Sequence, residues 1–164
     1  MNTAVSLRLF SEDEYREFFE LAVASYAQDN AAAGRWHAGE AIRLAREEAE
    51  RLLAQGTKTP NHHLLAVIHP SGEPVVGFIW FAALRRGAKT VAFVYQLIVK
   101  PEYRRRGYGR AALLAAERFA RAAGYSSMAL HVFAHNAAAI ALYRSVGYEM
   151  SSLNMQKALV PDHA

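Results

Sequence analysis

Cysteine is absent from this chain. Its absence excludes a disulfide framework, a thiolate metal site and any mechanism that parks a group on a cysteine sulfur. Proline and glycine are sparse, at 5 and 10 residues, so neither a collagen-like repeat nor a low-complexity chain fits. The longest apolar runs, residues 75–84 and 91–95, fall well short of the roughly 18 to 20 residues that span a bilayer. No basic stretch followed by an apolar segment opens the sequence, as an export signal would. These absences predict a cytoplasmic protein that does not enter membranes. Nor does any internal repeat, linker or shift of composition divide the chain.

What is present points to one folded unit. The 164 residues are 52% hydrophobic and 21% charged, a balance that predicts a single domain, 1–164, burying about two-thirds of its unfolded surface. The net charge of +4 hides two unlike halves: residues 1–84 hold 7 Lys and Arg against 11 Asp and Glu, and residues 85–164 hold 12 against 4. An anion should therefore bind in the second half, where Arg104, Arg105, Arg106 and Arg110 lie beside two glycines. So compact a cluster suits phosphates better than a diffuse nucleic-acid face, although a solvated basic loop would look the same.

Periodicity sets the order of elements. Residues 4–9 alternate as a strand, and Ser11 with Glu14 forms a capping box opening a helix to about Gln28. A second helical pattern covers residues 36–55, with Gly56 as its stop. Strands 63–68 and 75–84 form a hairpin through a Pro-, Ser- and Gly-bearing turn, and a third strand covers 90–99. Then come a helix over 108–123, a strand over 127–133, a helix over 137–146 and a last strand near 148–157. The pattern is that of an α/β (α+β) domain on a single mixed, mostly antiparallel sheet flanked by helices.

Between the third strand and the following helix lies Lys100-Pro101-Glu102-Tyr103-Arg104-Arg105-Arg106-Gly107-Tyr108-Gly109-Arg110. A helix N-terminus offers unpaired N–H groups and the positive end of the helix dipole, and glycines let backbone approach a ligand. The segment reads as a pyrophosphate cradle; a tight turn needing positive φ would explain one glycine but not four arginines as well. A dinucleotide fold is disfavoured because no Asp or Glu occurs between Glu117 and Glu149 to hold a ribose. A Walker loop is excluded by the lack of Gly-Lys-Ser/Thr at the required spacing. A second block reads Leu130-His131-Val132-Phe133-Ala134-His135-Asn136, followed by Ala139, Leu142-Tyr143 and Gly147-Tyr148.

Together the two blocks resemble the GNAT superfamily of N-acetyltransferases, whose hallmark Q/R-x-x-G-x-G/A appears as Arg104-Arg105-Arg106-Gly107-Tyr108-Gly109. The resemblance is strong over residues 90–159 and only architectural before them. Residues 60–64 and 153–157 are reminiscent of a poorly characterised bacterial subgroup, which names no substrate.

The resemblance implies acetyl-CoA as co-substrate, with its pyrophosphate on the backbone from Arg105 through Arg106, Gly107, Tyr108 and Gly109 to Arg110. The arginines, Arg104 included, would neutralise its charge. The pantetheine arm would run beside Leu97, Ile98 and Val99, with the Leu97 amide as oxyanion donor. Asn136 would bond the pantetheine or diphosphate, or serve only as a helix cap; Ala139 would lie alongside. Tyr143 matches the family's tyrosine that protonates the CoA sulfur, or is simply a core aromatic. Many members carry a Glu base where His131 stands here, and others a Glu further up the central strand, where Phe93 and Gln96 stand. His131 could accept a proton, or be only a hydrogen-bonded strand histidine.

His62, His63 and His69 form no metal constellation, since adjacent strand residues face opposite ways, and no metal is expected. Tyr26, Trp36, His62, His63 and Tyr95 are candidates for the acceptor pocket. The acidic first half, expected to line that pocket, favours an amine with a second positive charge. The function implied is acetyl transfer to a small-molecule or peptidic primary amine, without nucleic acid or membrane partners and compatible with a homodimer. The alternatives are a non-catalytic acyl-CoA sensor or interaction module and, third, a nucleic-acid-binding module.

Overall fold

Alternation along the central strands gives the sheet two apolar faces, and each is covered by its own helices. The computed structural model describes residues 3–159. The chain runs β1 (Ser6–Leu9), α1 (Glu12–Ala32), α2 (Ala41–Leu52), β2 (His62–Ile68), β3 (Val75–Arg86), β4 (Lys89–Val99), α3 (Tyr108–Ala122), β5 (Met128–Leu130) and α4 (Ala137–Ser145). Among the described residues the strands form one sheet in the order β1-β2-β3-β4-β5, antiparallel except for the parallel pair β4 and β5. This is the mixed, mostly antiparallel α/β architecture read from the sequence.

Leu64, Ala66, Phe78, Trp80 and Ile98 pack towards Phe18 and Ala22 of α1. Their neighbours Leu65, Val67, Ile79, Phe81 and Val94 pack towards Ala112, Leu113 and Ala116 of α3. Phe18, Phe78 and Phe81 are fully buried, and each such side chain stabilises the fold by roughly 1.5–3 kcal/mol. Small residues set the spacing of α1 and α2, through Val23, Ala27, Ala41 and Ala45.

Local chemistry explains the boundaries. Ser11 Oγ accepts from the Glu14 N–H at 3.2 Å, and the Glu14 carboxylate accepts from the Ser11 N–H at 2.7 Å. Arg8 closes a bidentate pair on the same carboxylate at 2.7 and 2.9 Å, which ties β1 to α1 and holds the Glu14 carboxyl below the usual carboxylate range. Helix α1 runs four residues past Gln28 because no breaker intervenes before Gly34, and Asn30 donates back to the Tyr26 carbonyl at 2.8 Å. Helix α2 starts at Ala41 rather than near Trp36. The His37 carbonyl accepts from the N–H groups of Glu40 and Ala41, and its Nδ1 from that of Gly39, which makes residues 36–40 a turn.

Two expectations fail at the C-terminal side. The strand predicted over 127–133 shortens to Met128–Leu130, and the strand near 148–157 does not form: residues 149–159 are exposed and outside the sheet. The alternation of Leu153 and Met155 with Asn154 and Gln156 is real. It marks a face without supplying a partner, and ordering each residue costs about 1–2 kcal/mol of backbone entropy that a three-residue edge does not offset.

β3 and β4 meet so closely at Gly77 that a Cβ there would overlap the carbonyl oxygen of Ile98. Gly77→Ala should therefore destabilise the protein by about 2 kcal/mol or more, seen as a lower denaturant midpoint at unchanged slope. A midpoint equal to that of the parent would mean the strands separate there at no cost.

Candidate active site

One irregularity opens the site. Trp80 pairs with Gln96 and Phe81 with Val94, so Tyr95 is an extra residue in β4, a bulge that bends the strand and interrupts its ladder. The parallel pairing of β4 with β5 ends at the same level, at Val94 and Leu130. Past that point residues 95–99 and 131–136 diverge. The gap between them, closed by α1 and α2 on one side and α4 on the other, is a cavity of about 450 Å³.

The basic loop sits at one end of this gap. A 3-10 turn over Pro101–Tyr103 leads into Arg105 at φ 60° and Gly107 at φ 83°, and Gly107 then caps α3. Left-handed backbone at Gly107 is what aims the first N–H groups of α3 outward. Gly109 answers a different need: a Cβ there would come within 3.2 Å of Leu142 and 3.7 Å of Val99, so its absence lets α3 seat against α4 and β4. Arg104 Nε donates to the Val99 carbonyl at 3.0 Å, pinning the loop to β4, while Arg105, Arg106 and Arg110 stay exposed. Free amides, a glycine at positive φ and unpaired guanidinium groups together fit a diphosphate.

Leu97, Val99, Gly109, His131, Asn136, Ala139 and Tyr143 all line the cavity. Of the other residues singled out, Ile98 turns into the core beside Phe18 and Phe78, and the Tyr108 side chain is buried, its ring 5.7 Å from His69 and 6.0 Å from Tyr103. Tyr143 is largely buried; burial, and then the charge of Asp29, push its hydroxyl pKa up, so it keeps its proton at neutral pH. His131 follows β5 and meets the edge of Phe133 at 4.9 Å. Partial burial, and then Arg35, push its imidazole below the usual histidine value, leaving it neutral and able to accept a proton. Asn136 Oδ1 accepts from the Ala139 N–H at 3.1 Å, so the residue caps α4 and also faces the cavity; its Nδ2 remains as a donor for a ligand.

Of the acceptor-pocket candidates, Tyr26 and Tyr95 line the cavity, and Trp36, His62 and His63 do not. Trp36 packs on Tyr26 in the α1–α2 contact. His62 accepts from Trp80 Nε1 at 2.9 Å, whereas His63 points to the other face, 3.3 Å from the Tyr125 hydroxyl. The acidic first half forms no acidic wall either. Asp13, Glu14, Glu17, Glu20, Glu40 and Glu47 are paired with Arg16, Arg8, Lys100, Arg46 and Arg43 away from the cavity. Its carboxylates on the cavity are Asp29 and Glu48, which the sequence reading missed together with Arg35, Trp80 and Phe133. A signal was there: Asp29 follows Ala22 and Tyr26, and Glu48 follows Ala41 and Ala45, at spacings that put each acid on the apolar stripe of its helix.

Comparison with known proteins gives concordant results. The model of the acetyltransferase (GNAT) family matches residues 18–148. The chain is 32% identical to the uncharacterized N-acetyltransferase YycN of Bacillus subtilis (strain 168), covering 94% of this chain and 99% of that one. It is 31% identical to YdgE of the same organism, over 95% and 99%. The crystal structure of YycN superposes with a TM-score of 0.89, covering 95% of this chain and 99% of that chain.

If this loop holds the CoA diphosphate, Gly107→Asp should raise the dissociation constant for CoA about 100-fold or more, because it would add a carboxylate beside the phosphates and strain the left-handed cap. Titration calorimetry showing parental affinity would remove the diphosphate from this loop.

Proposed function

Because the chain belongs to the acetyltransferase (GNAT) family and is an acetyl-transferring enzyme, we propose that its donor is acetyl-CoA and its acceptor a primary amine. The amine attacks the thioester directly in a ternary complex. The observation that carries this reading is the convergence of Leu97, Asn136, Tyr143 and His131, from separate parts of the chain, on one cavity beside the basic loop. Acetyl-CoA, when bound, supplies the activated acetyl group and a thiolate leaving group.

The chain's own residues do the rest. The N-terminal amides of α3, with Arg105, Arg106 and Arg110, hold the diphosphate. Residues 97–99 pair with the pantetheine amides as an added strand would, and Asn136 Nδ2 donates to the same arm. The Leu97 N–H faces the thioester oxygen and stabilises the negative charge that develops there. His131 takes a proton from the attacking amine, and Tyr143 delivers its hydroxyl proton to the departing sulfur.

Acetyl-CoA offered with a panel of primary amines should yield free CoA. Tyr143→Phe, which removes only the hydroxyl, should then lower kcat by about 10- to 1000-fold while acetyl-CoA affinity holds. Tight CoA binding without release for any amine would overturn the proposal, and full kcat in the variant would reduce Tyr143 to packing.

His131 must be neutral to act, so kcat/KM should rise with pH through its titration. Since burial and Arg35 disfavour the imidazolium, the midpoint of that limb should fall below the ordinary value of about 6.5. His131→Gln should abolish the limb and slow turnover; the same midpoint in the variant would move the base elsewhere.

A further inference from the structure

Glu48 is a carboxylate on the apolar side of α2, and the groups around it come from three elements. Its Oε2 lies 3.4 Å from the Tyr26 hydroxyl of α1, a long bond, and exposed Arg51 reaches its other oxygen only at 3.9 Å. Neither contact saturates the carboxylate, which can accept about four hydrogen bonds. On the sheet side of the cavity the bulge residue Tyr95 stacks on Trp80 at 4.6 Å and 20°. His62 closes the stack, 6.0 Å from Tyr95 and hydrogen-bonded to the Trp80 indole, and Phe93 meets Tyr95 edge-on at 5.0 Å. These contacts fix the rings as a rigid wall. Burial raises the hydroxyl pKa values of Tyr26 and Tyr95; the charge of Glu48 adds to both, while at Tyr95 the charge of Arg51 opposes it.

The cavity's other charged groups are Asp29 and Arg35. Asp29 lies 3.4 Å from His135, and Arg35 sits over the Phe133 ring at 5.0 Å, beside His131. A positive charge on a ligand is repelled by Arg35 and attracted by Asp29 and by Glu48, and Glu48 is the carboxylate whose charge reaches the Tyr95 side of the cavity. A half-buried carboxylate beside aromatic faces attracts an organic ammonium twice, through charge and through the ring quadrupoles.

We propose that Glu48, Tyr26 and the Tyr95–Trp80 wall form a subsite for a second, non-reacting ammonium group of the acceptor. The preferred acceptor is then an aliphatic diamine or a lysine-like chain rather than a simple monoamine. The proposal rests on the acetyl-transfer reading for the end of the molecule that reacts, while occupancy of the subsite itself does not require turnover.

The experiment compares 1,4-diaminobutane with butylamine, which differ by one terminal ammonium. The parent protein should favour the diamine in kcat/KM by about tenfold or more, and Glu48→Gln should reduce the preference to about twofold or less. Glu48→Asp should restore most of it, and Tyr95→Leu should weaken it independently; thermal unfolding verifies that each variant folds. Calorimetry of 1,4-diaminobutane on the CoA-loaded protein gives a readout free of chemistry. Heat of binding in the parent that disappears in Glu48→Gln supports the subsite even if no amine releases CoA, a result that would fail acetyl transfer alone. A parent that treats the two amines alike and shows no diamine binding overturns the subsite, as does a diamine preference that stays well above twofold, or a diamine affinity that stays at the parent's level, in Glu48→Gln.

Discussion

The parallel ladder between β4 and β5 stops at Val94 and Leu130, and the candidate site opens at that stop. A sheet that remained paired would leave no room between its strands. Here the Tyr95 bulge bends β4 at the level where β5 ends, and the two segments part. Backbone polar groups along the opened edge still require partners. A ligand built like a peptide, with amides spaced along a flexible arm, can supply them. In the proposed acetyl-CoA reading, the open edge and the basic loop at the end of the same strand are two parts of one receptor.

Precision around that opening comes from contacts that leave no slack. Gly77 brings β3 against β4 and Gly109 brings α3 against α4 and β4, each by lacking a side chain. Arg104 hooks the loop back to Val99, and Asn136 caps α4 from within the cavity wall. The loop, the strand and the tyrosine-bearing helix thus share fixed spacings, as a site must if it is to place an amide, an amine and a hydroxyl around one carbonyl. On the outer faces of α1 and α2 most charges pair with one another and stay solvated; such pairs contribute little each.

Legibility in the sequence followed the range of the interactions. The capping box at Ser11 and Glu14, the positive-φ glycine of the basic loop and the cap at Asn136 are settled within a few residues, and their local geometry could be read directly. The central strands were legible for the same reason, since the unbroken apolar runs Leu64 to Ile68 and Val76 to Phe81 report burial on both faces. The final strand was not, because alternation says nothing about whether a partner edge exists. Charge arithmetic also misled: summing acids over residues 1–84 cannot tell Glu20, held by Arg46, from Glu48 at the cavity. His62 was misplaced because its partner, Trp80, lies across a strand pair. The bulge at Tyr95 depends on register between two strands, which no single segment encodes.

The stack of His62, Trp80 and Tyr95 gives the molecule an optical property of its own. The chain has two tryptophans. Trp36 packs against Tyr26 behind the α1–α2 contact, and Trp80 forms part of the cavity wall with its indole N–H bonded to His62. An imidazolium beside an indole quenches its emission, and a neutral ring does so far less. Trp80 fluorescence, read above the emission of Trp36, should therefore respond both to molecules entering the cavity and to protonation of His62, without any label attached to the protein.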